Sequence, residues 1–119
     1  MPVILVVEDD PDILETASML LRLEGYQVIG ARSAFEGLDI MHARSDIDVL
    51  FTDISLHQGM DGLAMVDIVQ RRHRRVSIVV ASGRSDGETL SHAPPRHPVR
   101  FLPKPYGRHQ LLAAIRGCS

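Results

Sequence analysis

Five short apolar runs, each separated from the next by a longer amphipathic stretch, restrict this chain to a small set of folds. The runs are Val3–Val7, Tyr26–Ala31, Val49–Asp53, Val76–Ala81 and Val99–Leu102, and they are rich in Val, Ile, Leu and Phe. Such runs read as strands buried on both faces, as in a parallel sheet. The stretches between them carry helix signals. Asp10-Pro11 reads as an N-cap with proline at the first helical position. Ile13, Leu14, Ala17, Leu20 and Leu21 then recur at helical spacing, and Gly25 stops the helix. Ser33-Ala34-Phe35-Glu36 matches a capping box and opens a second helix to about Arg44. Leu63, Val66, Ile68 and Val69 predict a third, ending in the basic run Arg71–Arg75. Ser85–His92 predicts a short fourth helix, weakened by Gly87 and cut off by Pro94-Pro95. Arg108–Arg116 is a final helix with Leu111, Leu112 and Ile115 facing inward. Strand and helix alternate five times, as (βα)5, and right-handed crossovers wind such a chain into a doubly wound α/β sheet.

The length suits one domain over residues 1–119, large enough to bury a core without disulfides or metal staples. A net charge of −2 argues against bulk attraction to nucleic acid or anionic lipid. The basic run is expected to be a solvated helix end, favourable to the helix dipole. Cys118 has no second cysteine to pair with, so a reducing cytoplasm is the expected compartment. No apolar run approaches membrane-spanning length, and the first run meets three acids with no basic region before it, unlike a signal peptide. Arginine supplies all but one of the 13 basic residues, and Lys104 is the single lysine. A compact ammonium suits a point-charge contact with phosphate, whereas arginine presents a planar fork.

The ends of the runs carry the chemistry. The first stops at Glu8-Asp9-Asp10, the third at Asp53 and the fourth at Ser82, while the last leads through Pro103 to Lys104-Pro105. In open α/β sheets ligands bind at the carboxyl ends of the strands, so these residues are expected along one edge. Carboxylates gathered in one pocket repel unless protons or a cation join them, and an all-oxygen donor set suits Mg²⁺. Asp53 is the candidate nucleophile, since a carboxylate can accept a phosphoryl group when charge is neutralised around it. Lys104 would supply such charge, and Ser82 a hydrogen bond to a phosphoryl oxygen. The plainer readings are a helix cap for the acidic run, a turn-starting aspartate at position 53 and a core strand residue for Phe101.

The run Val6-Val7-Glu8-Asp9-Asp10-Pro11, then Asp53, then Ala81-Ser82-Gly83, then Phe101-Leu102-Pro103-Lys104-Pro105, resembles the receiver domain of bacterial two-component response regulators. The resemblance covers nearly the whole chain. It implies a flavodoxin-like sheet of strand order 2-1-3-4-5 and, by residue, Asp53 as phosphoacceptor. It further implies Mg²⁺ held by Asp9, by Asp53, by Glu8 mainly through water, and by the backbone carbonyl of Ser55. Lys104 would pair with the phosphoryl group, Ser82 and Phe101 would form the switch, and the Lys104-Pro105 bond would be cis. Implied partners are a histidine kinase or a histidine phosphotransfer protein, with an unnamed downstream target and no nucleic acid or membrane. Catalysis would be limited to self-phosphorylation and autodephosphorylation.

Three features depart from the common pattern. Asp61-Gly62 lies one residue further from Asp53 than usual, with His57 in place of a proline. The switch aromatic is Phe rather than Tyr, and the fourth helix is short. Ser55 and Arg84 sit where family members tune the phosphoryl lifetime. Two alternatives remain open, a stand-alone regulator and a receiver taken from a hybrid kinase or multidomain regulator. A flavodoxin-like ligand-binding module is more remote, because Glu8-Asp9-Asp10 stands where an anion-binding loop would need backbone amides.

Overall fold

The computed structural model describes residues 2–56, 59–83, 86 and 95–118. Its strands are β1 (Val3–Val7), β2 (Gln27–Ala31), β3 (Val49–Asp53), β4 (Ser77–Ser82) and β5 (Arg100–Pro103). The helices among the described residues are α1 (Pro11–Leu23), α2 (Ala34–Ala43), α3 (Gly62–Arg72) and α4 (Arg108–Arg116). All strand pairs are parallel, in the order β2-β1-β3-β4-β5. The fold is the expected flavodoxin-like α/β arrangement. The segment read as a weak fourth helix lies outside the described residues apart from Asp86, as do His57 and Arg84.

Period-two alternation assigns the apolar residues of the central strands to one of two cores. Val3, Leu5, Val7, Leu50, Ile78 and Val80 face α2 and α3, meeting Leu38, Met41, Met65, Val66 and Val69. Ile4, Val6, Val49, Phe51, Val79 and Ala81 face α1 and α4, meeting Ala17, Leu21, Leu111, Leu112 and Ile115. β1 and β3 are buried along their whole length. The edge strands differ from the buried strands expected. Of β2 only Ala31 is buried, and of β5 only Leu102, because an edge strand has a neighbour on one side alone. The strand limits also move slightly, with Tyr26, Val76 and Val99 preceding their strands and Ser82 and Pro103 closing theirs.

Local signals explain where the helices begin. The Asp10 carboxylate accepts from the Asp12 and Ile13 amides at 2.9 and 3.4 Å. Ser33 Oγ accepts from Glu36 N at 3.1 Å, but the returning Glu36 carboxylate takes the Arg32 amide rather than that of Ser33. Asp61 caps α3 by accepting from Ala64 N at 2.8 Å. α3 stops at Arg72, short of the predicted basic end, and His73 closes it. His73 stacks on His42 from the end of α2, with ring centroids 5.2 Å apart.

Gly62 fixes how α3 meets the sheet. A Cβ there would lie 2.1 Å from the Asp53 carbonyl oxygen and 3.0 Å from Ile54 Cα. The helix start therefore lies directly on the end of β3, and the Gly62 amide donates to Ile54 O at 3.1 Å. The loop reaches it through Gly59, whose φ of +72° is in the region that favours glycine.

Candidate phosphoacceptor site

Parallel register brings the strand ends level. Val7 stands opposite Thr52, Asp53 opposite Ala81, and Ser82 opposite Pro103. The residues following β1, ending β3 and β4 and following β5 therefore share one edge of the sheet. Glu8 and Asp53 are each only 7% exposed. They line one small cavity with Thr52, Phe51, Ala81 and Tyr106.

Asp53 is held on both oxygens. Lys104 Nζ lies 2.5 Å from Oδ2, and the Ser55 amide donates to Oδ1 at 3.1 Å. Lys104 is itself positioned by its backbone, because its amide donates to Ser82 O at 2.8 Å. The Lys104-Pro105 peptide is cis. Ser82 is half-buried at the end of β4. Phe101 is 42% exposed, so the aromatic of β5 lies outside both cores.

Glu8 shows the electrostatic cost of this arrangement. Its carboxyl is pushed up to about 7, first by burial and further by a hydrogen bond with Asp9 and the nearby Asp53 charge. The Asp10 amide, donating to Glu8 Oε1 at 3.1 Å, and the Lys104 charge act in the opposite direction. Tyr106 is raised to about 12, by burial and then by the charges of Glu8 and Asp53. Its ring meets Phe51 edge-on at 5.9 Å, walling the acidic pocket with carbon. Among the described residues, no three His, Cys, Asp or Glu side chains form a metal-holding group.

Sequence reading missed Asp86. It is 8% exposed, accepts from Ser55 Oγ at 3.0 Å on Oδ1 and from the Gly83 amide at 2.7 Å on Oδ2. A signal existed, because Gly83 and Asp86 are spaced like an N-cap and the acid that reaches back to its amide. Tyr106 was also passed over, since its role depends on the fold bringing it over Phe51.

A groove of about 950 Å³ lies elsewhere among the described residues. It runs past Gln70, His73, Val76, Ser77, Val99 and Arg100 at the amino ends of β4 and β5, and holds none of the carboxylates. Geometry and charge, rather than volume, mark the strand-end pocket as the candidate site.

Comparison with known proteins identifies the family to which the chain is similar. The model of the response regulator receiver domain matches residues 4–116. The chain is 36% identical over 110 residues to the nitrogen assimilation regulatory protein NtrX of Azorhizobium caulinodans, covering 92% of this chain and 24% of that protein. It is 28% identical over 112 residues to the transcriptional regulatory protein GlrR of Escherichia coli, covering 94% of this chain and 25% of that protein. The chain thus spans about a quarter of the length of these relatives. The crystal structure of the receiver domain of NtrX from Brucella abortus superposes with a TM-score of 0.87 at 30% identity, covering 97% of this chain and 96% of that one. A response regulator receiver domain protein from Clostridium thermocellum gives a TM-score of 0.90 at 26% identity, over 99% of this chain and 94% of that one. Among the described residues, no helix is long and apolar enough to cross a membrane. From its strand-end residues through its topology to its relatives, this chain belongs to the response regulator receiver domain family of two-component systems.

Proposed function

We propose that this domain is a phosphoryl-accepting switch in which Asp53 takes a phosphoryl group from a phosphohistidine on a partner histidine kinase or histidine phosphotransfer protein. The observation that carries this reading is the Asp53–Lys104 pair, a buried strand-end carboxylate held by an ammonium 2.5 Å away. As the bond from phosphorus to the Asp53 oxygen forms, the phosphorus–nitrogen bond of the donor breaks. The donor ring, protonated on its other nitrogen, leaves as neutral imidazole with the bonding pair on the departing nitrogen. Lys104 meets the charge on the phosphoryl oxygens, and the Ser82 hydroxyl is available to donate to one of them. Water later cleaves the acyl phosphate to inorganic phosphate and free Asp53, so no separate metabolite is turned over.

The donor set fits Mg²⁺ in its chemistry. Glu8 and Asp9 share a hydrogen bond, so one of them must hold a proton there, which eases the buried charge conflict with Asp53, and a bound cation would take that proton's place. A cation that takes one or two carboxylates and keeps its waters needs no ready cage of three side chains. Asp9, Asp53 and the Ser55 carbonyl would hold it, with Glu8 acting through water. Bound there, Mg²⁺ would neutralise charge on the carboxylates and phosphoryl oxygens. Phe101 is exposed at rest, and phosphorylation would act as a population shift read through Ser82 and Phe101.

A second reading places this receiver within a longer regulator or hybrid kinase, and the quarter-length match to NtrX and GlrR favours it. Both readings share one test. Incubation with Mg²⁺ and acetyl phosphate should add a phosphate-sized mass to wild type and none to Asp53→Asn; equal labelling of both would overturn the assignment. Millimolar Mg²⁺ should raise the melting temperature of wild type through binding to the folded state, and Asp9→Ala should lose that response. If Asp9→Ala responds like wild type, Asp9 is not a ligand.

A further inference from the structure

The hydrogen bonds around Asp53 close into a ring. Asp53 Oδ1 accepts from Ser55 N, Ser55 Oγ donates to Asp86 Oδ1, and Asp86 Oδ2 accepts from Gly83 N. Gly83 follows Ser82, whose carbonyl accepts from Lys104 N, and Lys104 Nζ returns to Asp53 Oδ2. Asp86 is the member of this ring that lies furthest along the chain from a strand end. Its side chain makes the two bonds that join it to the Ser55 hydroxyl and to the Gly83 amide. The Asp86 amide also donates back to Gly83 O at 3.2 Å, which fixes the carboxylate over the loop after β4.

The two donors that Asp86 occupies are the significant part. Ser55 lies two residues after Asp53 and Gly83 one after Ser82, so both belong to the rim that a group arriving on Asp53 must meet. A hydroxyl and a backbone amide are donors suited to phosphoryl oxygens. Here both are held by an anion of the chain itself. A phosphoryl group brings a charge of about −1.5 to −2 and three strong acceptor oxygens, so it would compete for these donors and repel the carboxylate holding them.

We propose that Asp86 is an internal competitor for the phosphoryl group: its carboxylate holds the Ser55 hydroxyl and the Gly83 amide in the resting state and is expelled when Asp53 is charged. This rests on the phosphoacceptor reading of Asp53. Asp86 is a positioning residue, setting how readily the acceptor is filled without touching the transferred atoms. Its release is also the event by which charge on Asp53 is felt in the chain beyond β4.

The test is a titration with beryllofluoride in the presence of Mg²⁺, read by calorimetry and by the fluorine resonance of the bound adduct, on wild type, Asp86→Ala, Asp86→Asn and Ser55→Ala. Asp86→Ala frees both donors and removes the repulsion, and should bind about tenfold more tightly. Asp86→Asn keeps the shape and loses the charge, so it should gain a smaller factor; being isosteric, it carries the test if Asp86→Ala unfolds. In the double variant Ser55→Ala/Asp86→Ala the effects should fall short of additive, because the two residues share one bond. Binding by wild type with no gain in either Asp86 variant overturns the competitor and leaves the acceptor reading intact. Weaker binding in both would mean that Asp86 supports the acceptor, which also overturns it. If wild type and all variants fail to bind, the acceptor reading falls and this one with it.

Discussion

The two ends of the sheet solve their polar problem in opposite ways. At the amino ends of β4 and β5, polar side chains lie along an open groove and pair with backbone groups. The Gln70 side chain exchanges hydrogen bonds with the His97 backbone at 3.0 and 3.3 Å, and Arg100 donates to Gly117 O at 3.0 Å. At the carboxyl ends the space is small and the groups are charged. Asp53 and Glu8 are buried, and their partners come from the segments that follow β1, β3 and β5. The larger opening therefore carries less electrostatic tension than the smaller one. A site that must respond to an added charge needs groups already in conflict, and burial supplies that conflict where an open groove dissipates it into water.

The contrast can be broken by substitution. Gly62→Ala should have the largest effect on stability, because the new methyl group meets backbone atoms of Asp53 and Ile54 that cannot turn aside. A loss of about 3 kcal/mol is expected from such overpacking, measured by urea denaturation. A loss near zero would mean that α3 can slide on β3, and that Asp53 is less rigidly held than the geometry requires.

The acidic end should also be the pH-sensitive one. Folding raises the Glu8 carboxyl from 4.5 to about 7, so between those values the folded state binds more protons than the unfolded. Stability is therefore highest below about 4.5 on this account and falls as pH rises through 7. Partial solvent screening reduces the effect to on the order of 1–2 kcal/mol. Glu8→Gln should flatten the slope between pH 5 and 8, and added Mg²⁺ should flatten it in wild type. An unchanged slope in Glu8→Gln would assign the pH response to another group.

The smallest effect belongs to the amino end. Arg100→Ala removes an exposed bond to Gly117 O and should change stability by less than about 0.5 kcal/mol. It should leave labelling by acetyl phosphate as it is in wild type. A strong loss of labelling would show that the two ends are coupled through β5.

The sequence by itself determined the alternation of five strands with helices, the caps at Asp10 and Ser33, and which residues stand at the strand ends. These are legible because they rest on local rules, a period of two or 3.6 and a capping side chain within a few residues of its amide. Tertiary structure alone decided which of those residues touch. Lys104 and Asp53 are 51 positions apart, and Ser55 and Asp86 are 31 apart. No local pattern encodes a bond of that span, because its existence depends on how strands register across the sheet. Burial was decided the same way. Phe101 and Val28 have the apolar character of core residues, yet the edge position of their strands leaves one exposed and the other half-buried. Glu8 has the look of a solvated acid beside two others, yet its place behind Tyr106 and Asp53 raises its carboxyl to about 7. Residue type sets what a group can do, and the low-dielectric surroundings that packing creates set at which pH and against which neighbour it does so.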